Sequence, residues 1–163
     1  MAIYERFEDL PVWQEAERLY NASLDLLQTQ KLLLGPGWRL QFERAALSVS
    51  NNIAEGFERF TPNELRSFLV IARGSAGEVR SMVAVVVKRA ELQLHVPRLQ
   101  EIRKIAESCA RQLGAWLQTS MILSNPGCLR DGGIRFKIEH RVKSMICVAL
   151  GASANLSSVI CHS

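Results

Sequence analysis

The chain has 163 residues, 48% of them hydrophobic and 22% charged, which suits one globular domain with a substantial core. Its formal charge is +4, but residues 1–124 hold 15 Lys and Arg against 14 Asp and Glu, while residues 125–163 hold 5 against 2. The basic excess is therefore concentrated after residue 124, which argues against a strongly cationic nucleic-acid-binding body.

The cysteines and the N-terminal sequence argue against a secreted or membrane protein. The four cysteines include no CxxC pair, and the chain is too long and too poor in cysteine for a disulfide scaffold. Acidic residues stand near the N-terminus where a signal peptide would have an apolar run. No stretch of about twenty apolar residues is present to span a bilayer. We therefore expect a cytoplasmic protein with no membrane partner.

Two helices are predicted in the first part of the chain. The first, near residues 10–33, begins after Asp9, which is a candidate cap, with Pro11 in the first turn. Trp13 lies off the centre of its apolar stripe, so the ring either closes the end of a bundle or faces a neighbouring subunit. The sequence Gly35-Pro36-Gly37 ends this helix, and the second helix is expected near residues 38–59.

Two more helices are predicted after a clear boundary at Thr61-Pro62-Asn63-Glu64, which has the pattern of a capping box with proline. The third helix is expected near residues 62–94. Gly74 and Gly77 interrupt it, and because each costs about 1 kcal/mol against alanine, we expect them to permit close helix approach. The fourth helix is expected near residues 97–123, with a nearly heptad apolar seam: Leu99, Ile102, Ala106, Cys109, Leu113, Trp116, Ser120 and Leu123.

These elements predict an all-α fold. Four helices with short connections favour a left-handed, antiparallel up-down four-helix bundle over residues 1–124. Residues 125–163 contain Gly132-Gly133, a short basic segment and many small polar residues, without a convincing core pattern. We expect this second region to be a weakly ordered C-terminal tail.

Few residues suggest catalysis or metal binding. The three histidines, His95, His140 and His162, are not close in sequence to a plausible nucleophile, and the Glu-x-x-His motif of di-iron bundles is absent. Cys161-His162 lacks partners for a metal, and Cys109 lies on the apolar seam. We therefore expect a protein that is not an enzyme, with no catalytic residues, no metal and no cofactor.

The second predicted helix carries a polar stripe beside an apolar one. Ala45, Val49, Ile53 and Phe57 recur at helical spacing and form the apolar stripe. The polar stripe includes Arg44, Ser48, Asn52 and Glu55. It either forms a buried hydrogen-bond network with the third helix or faces outward and binds a partner. The candidate network comprises Arg44, Ser48, Asn52, Glu55, Ser75 and Glu78.

Arginines recur every seven residues at Arg59, Arg66, Arg73 and Arg80, so they lie near one face of the second and third helices. Such a ridge suits contact with phosphates. It equally suits solvated ion pairs, because acidic residues such as Glu58, Glu64 and Glu78 lie nearby in sequence.

Several segments of the chain are similar to a known family. NIAEG at residues 52–56 and GSAxE at residues 74–78 are its most specific motifs. The matching segments are residues 7–16, 41–45, 48–59, 68–69 and 72–78. Together they resemble the small four-helix-bundle proteins encoded in intervening sequences of bacterial 23S rRNA genes. This resemblance implies an up-down four-helix bundle that assembles as a ring-like homopentamer.

That family in turn resembles the accessory variability protein of diversity-generating retroelements, a basic pentameric bundle that binds nucleic acid and a reverse transcriptase. We therefore expect a non-catalytic oligomer that binds structured RNA, DNA or a ribonucleoprotein such as the ribosome. The alternative is an adaptor that binds another protein, for example a reverse transcriptase. The residues expected to contact phosphates are Arg59, Arg66, Arg73, Arg80, Arg135, Lys137, Arg141 and Lys143.

Overall fold

The computed structural model describes residues 4–29, 32–59 and 61–123, and the predicted tail over residues 125–163 lies outside them. The described elements are a 3-10 turn (Phe7–Asp9), α1 (Pro11–Leu27), α2 (Pro36–Glu58), α3 (Pro62–Val86), a second 3-10 segment (Ala90–His95) and α4 (Val96–Leu123). No described residue lies in a strand. The predicted all-α class is confirmed.

The four helices form an up-down bundle. Each helix packs against its neighbours in the chain, and α4 also packs against α1, so the four helices surround one core. Short connections between successive helices make the neighbouring helices antiparallel. This arrangement leaves one surface along α2 and α3 and another along α3 and α4. None of the helices in the described part of the chain is long and apolar enough to cross a bilayer.

Local sequence signals explain where the helices begin. Proline occupies the first turn of α1, α2 and α3, where its missing N–H has no intrahelical partner to lose. The hydroxyl of Thr61 accepts a hydrogen bond from the backbone N–H of Glu64 at 3.2 Å and donates to the Glu64 carboxylate at 2.6 Å. The predicted N-cap of α3 is therefore present. At α1, Leu10 occupies the capping position and makes no side-chain cap, so the expected role of Asp9 was wrong.

Two helices end earlier than the periodicity predicted. α1 ends at Leu27 rather than near residue 33, and the guanidinium of Arg39, from α2, donates hydrogen bonds to the carbonyl oxygens of Leu27 and Leu32. An arginine from another helix thus satisfies a terminal carbonyl that would otherwise need a further helical turn.

α3 ends at Val86 rather than near residue 94, and the chain continues as the 3-10 segment. In a continued α-helix, Leu92 would lie about 240° around the axis from the buried Val86, away from the core. The 3-10 segment instead buries Leu92 completely. Burial of this leucine is the physical reason that we assign to the early end of α3.

The predicted apolar stripes form the core. On α2, Ala45, Val49 and Ile53 are buried and Phe57 is half-buried. Every described side chain of the α4 seam is fully buried, from Leu99 to Trp116. Trp13 is half-buried, and its ring lies 5.4 Å from the ring of Phe7. It therefore packs against its own chain.

Cys109 is one of the buried seam residues. Removal of the thiol from water raises its pKa to about 12, and the negative charge of Glu15 adds to the effect. A thiol that stays protonated near neutral pH is a poor nucleophile. Cys109 therefore acts as a small apolar core residue, as its position in the seam suggested.

The glycines of α3 do not have the predicted role. A methyl group added at Gly74 or Gly77 would meet no described atom within 4 Å, so neither glycine is needed for packing among the described residues. The close approach lies instead at Gly56 on α2, where an added Cβ would lie 3.0 Å from Cβ of Phe68 and 3.2 Å from Cδ1 of Leu65. Gly56 lets α2 and α3 converge near their connection.

Candidate nucleic-acid interface

The polar stripe of α2 meets α3 through a chain of hydrogen bonds. The amide Nδ2 of Asn52 donates to the hydroxyl of Ser48 at 3.0 Å, and the hydroxyls of Ser48 and Ser75 lie 2.9 Å apart. Ser75 donates in turn to the carbonyl oxygen of Ile71 at 3.1 Å. Each hydroxyl can therefore accept one hydrogen bond and donate the next, in the order Asn52, Ser48, Ser75. Both serine hydroxyls are thus satisfied where the helices pack.

The other residues of the candidate network lie elsewhere. Oε1 of Glu78 accepts a hydrogen bond from Nε2 of Gln41 at 2.5 Å, which forms a second link between α3 and α2. Glu55 forms an ion pair with Arg59, which directly follows the last residue of α2, and Arg44 is exposed. Gln41 was not among the predicted residues, although it stands seven positions before Ser48 and so lies on the same face.

We expect Ser48→Ala and Ser75→Ala each to lower the free energy of unfolding by about 1 kcal/mol, because each removes a hydrogen bond between α2 and α3. The double variant should lose less unfolding free energy than the two single variants added together, since the hydrogen bond that they share can be lost only once. Urea denaturation of the four proteins measures this coupling. Strictly additive losses would show that the 2.9 Å contact contributes nothing.

The predicted arginine ridge divides into two environments. Arg59 follows the end of α2, pairs with Glu55 and lies over the ring of Phe68, with its Cζ 5.0 Å from the ring centroid. This arginine is therefore engaged within the chain. Arg66 and Arg73 are exposed on α3, where they can meet a ligand.

Arg80 lies at the boundary with α4. Its Nε is 3.7 Å from Oε1 of Glu107, which is close enough for an ion pair and too long for a hydrogen bond. Arg73, Arg80 and Arg111 line an open groove of about 600 Å³ between α3 and α4. Arg111 was not predicted, because it comes from a different helix and joins the ridge only through folding.

The remaining predicted phosphate contacts, Arg135, Lys137, Arg141 and Lys143, lie outside the described residues. Within the described residues, no three His, Cys, Asp or Glu side chains lie close enough together to hold a metal ion. The arrangement that the structure does show can bind anions through guanidinium groups on α3 and α4.

Large apolar side chains are exposed on α2 and α3. Leu40 and Leu47 stand one heptad apart on α2 and are 50% and 36% exposed. On α3, Val70, Ile71 and Val85 are each at least half exposed. Single exposed apolar residues are ordinary, but several along two neighbouring helices are typical of a surface that another protein covers.

Comparison with known proteins identifies the family. The family described as 23S rRNA-intervening sequence protein matches residues 8–115, which include most of the bundle. No significant match was found among curated proteins or among solved structures. The matched segment contains the NIAEG motif of α2 and the GSAxE motif of α3, which supply Asn52, Gly56 and Ser75. The chain therefore belongs to the 23S rRNA-intervening sequence protein family.

Proposed function

We propose that this protein is a non-catalytic, oligomeric binding protein of the cytoplasm that contacts the phosphate backbone of structured RNA or of a ribonucleoprotein. The observation that supports the proposal is the face of α3 on which Arg66, Arg73 and Arg80 recur at heptad spacing. Arg66 and Arg73 are exposed, and Arg80 lies 3.7 Å from a single carboxylate. Guanidinium groups pair with phosphates through two parallel hydrogen bonds, which makes such a face suitable for nucleic acid.

The near-neutral charge of residues 1–124 limits what this binding can be. Without a strong overall positive field, the body gains little long-range attraction for nucleic acid. Affinity then depends on the local arginine face and on several copies acting together.

Oligomerisation supplies those copies. The exposed apolar residues on α2 and α3 give each protomer a surface that a second copy can cover, and the family resemblance favours a ring of five. A ring would repeat the arginine face around one axis, so that weak single contacts add up through their effective concentration. Native mass spectrometry of the purified full-length protein measures the number of subunits.

The second candidate function is an adaptor for another protein, such as a reverse transcriptase. The same exposed apolar residues favour this alternative, because Leu40, Leu47 and Ile71 lie along two packed helices. Salt separates the two functions. Phosphate contacts weaken steeply with ionic strength, whereas an apolar protein interface hardly responds.

The test is the binding of full-length protein to structured rRNA fragments and duplex DNA across a salt series. Three arginine contacts predict a slope of log K against log salt of roughly −3 for each protomer that contacts the duplex. The double variant Arg66→Gln/Arg73→Gln should reduce the magnitude of the slope by about 2 for each contacting protomer. Arg18→Gln is the control, since Arg18 lies on α1 and pairs with Glu15.

Two results would contradict the proposed function. One is the absence of binding by an intact oligomer, which would favour the adaptor. The other is binding that stays constant as salt increases, because such binding does not release counterions from phosphates. A truncated protein ending at Ser124 distinguishes the bundle from the remainder of the chain: binding lost only with residues 125–163 would assign the activity to Arg135, Lys137, Arg141 and Lys143.

A further inference from the structure

The open groove between α3 and α4 contains more positive charge than the α3 face alone. Arg73 and Arg80 enter it from α3 and Arg111 from α4, while Glu107 is the acidic residue that lines it. That carboxylate is already shared, because its Oε1 accepts a hydrogen bond from Nε of Arg103 at 3.3 Å. The single carboxylate of Glu107 cannot neutralise the guanidinium groups of Arg73, Arg80 and Arg111, so the groove has a net positive charge.

One donor in the groove has no hydrogen-bond partner in the described part of the chain. Nε of Arg80 is buried, and its distance of 3.7 Å from Oε1 of Glu107 exceeds hydrogen-bond range. A buried charged donor without an acceptor is costly. The Arg80 side chain as a whole is 42% exposed, so its positive charge still acts on an anion in the groove.

Small residues on α4 make room for such an anion. Ala110, Gly114 and Ala115 line the groove, and the guanidinium of Arg73 lies beside Gly114. A Cβ added at Gly114 would stand 3.7 Å from Cζ of Arg73. The absence of a larger side chain at Gly114 thus leaves the guanidinium of Arg73 accessible from the groove.

We propose that this groove is a phosphate-binding site that seats the backbone phosphates of a nucleic acid without reading its bases. The inference rests on the proposed function and assigns it a location. Arginines from two helices present guanidinium donors to the tetrahedral oxygens of phosphate. None of the described residues that line the groove is aromatic, so they supply no stacking with bases. Binding at this site should therefore depend little on sequence.

A charge placed at Gly114 tests the site without removing any arginine. Gly114→Glu puts a carboxylate beside Arg73, and Gly114→Gln adds the same bulk without the charge. Both replace a helical glycine with a better helix former, so neither is expected to impair folding. Arg111→Gln removes one groove arginine, and Arg18→Gln removes an arginine from α1 as the matched control.

The first readout is affinity for a structured rRNA fragment at fixed salt. Arg111→Gln should bind about tenfold more weakly than Arg18→Gln, which is the effect of one lost charge-assisted hydrogen bond. Gly114→Glu should bind more weakly than Gly114→Gln by a similar factor. The second readout is the melting temperature in pyrophosphate against chloride at equal ionic strength, which reports phosphate binding without nucleic acid.

The outcomes separate the groove from the proposed function. Weakened RNA binding by Arg111→Gln and Gly114→Glu supports the groove as a nucleic-acid site. If wild type binds no nucleic acid but pyrophosphate raises the melting temperature of wild type and not of Gly114→Glu, the site binds small phosphorylated ligands and the proposed function is overturned. If RNA binds with a steep salt dependence while both variants match their controls, the groove proposal is overturned and the proposed function stands.

Discussion

Trp116→Ala is expected to lower the free energy of unfolding by about 3–5 kcal/mol, the largest single loss anticipated for this chain. Trp116 is among the largest side chains that are fully buried, and it lies near the end of the α4 seam. Its removal would forfeit the burial of a large ring and leave a cavity that a tightly packed bundle cannot close. Since the free energy of unfolding of a small domain is only about 5–15 kcal/mol, the variant should be close to unfolding.

Urea denaturation followed by circular dichroism measures the loss. Trp116→Phe keeps an aromatic ring at the site and should be the milder change, which separates lost volume from lost aromatic character. Leu94→Ala is the exposed control, because Leu94 is 86% exposed and should change stability by less than about 0.5 kcal/mol. A Trp116→Ala variant as stable as the Leu94→Ala variant would contradict the placement of the ring in the core.

The α4 seam could be predicted from the sequence because its buried residues recur at steps of three and four along a single helix. Leu99, Ile102 and Leu113 recur at helical spacing, and each is fully buried. The early ends of α1 and α3 were not predictable in this way. They depend on Arg39 from another helix and on the burial of Leu92, and both are tertiary effects that override local periodicity.

The candidate site shows the same distinction. The polar stripe of α2 was visible in the sequence, but which members meet α3 depends on helix rotation, which brings Ser48 and Ser75 together and leaves Arg44 exposed. The heptad arginines of α3 were likewise visible. Arg111 was not, because its proximity to Arg73 and Arg80 arises from the packing of α4 against α3.

Gly56→Ala and Gly74→Ala are expected to change stability in opposite directions. Both glycines lie inside helices, where alanine is favoured by about 1 kcal/mol. At Gly74 a methyl group meets no described atom within 4 Å, so that gain should be realised in full. At Gly56 the new Cβ would lie 3.0 Å from Cβ of Phe68 and 3.4 Å from the carbonyl oxygen of Leu65.

Neither the Phe68 Cβ nor the Leu65 carbonyl can yield by changing a rotamer, because one is attached to the α3 backbone and the other is part of it. Relief at Gly56 therefore requires α2 and α3 to separate, and such overpacking costs about 1–3 kcal/mol. We expect a net loss at Gly56 and a net gain at Gly74, which urea denaturation of the two variants would resolve. A gain at Gly56 would show that the helices separate without penalty. A loss at Gly74 would show that another surface, such as a second protomer, packs closely against α3 there.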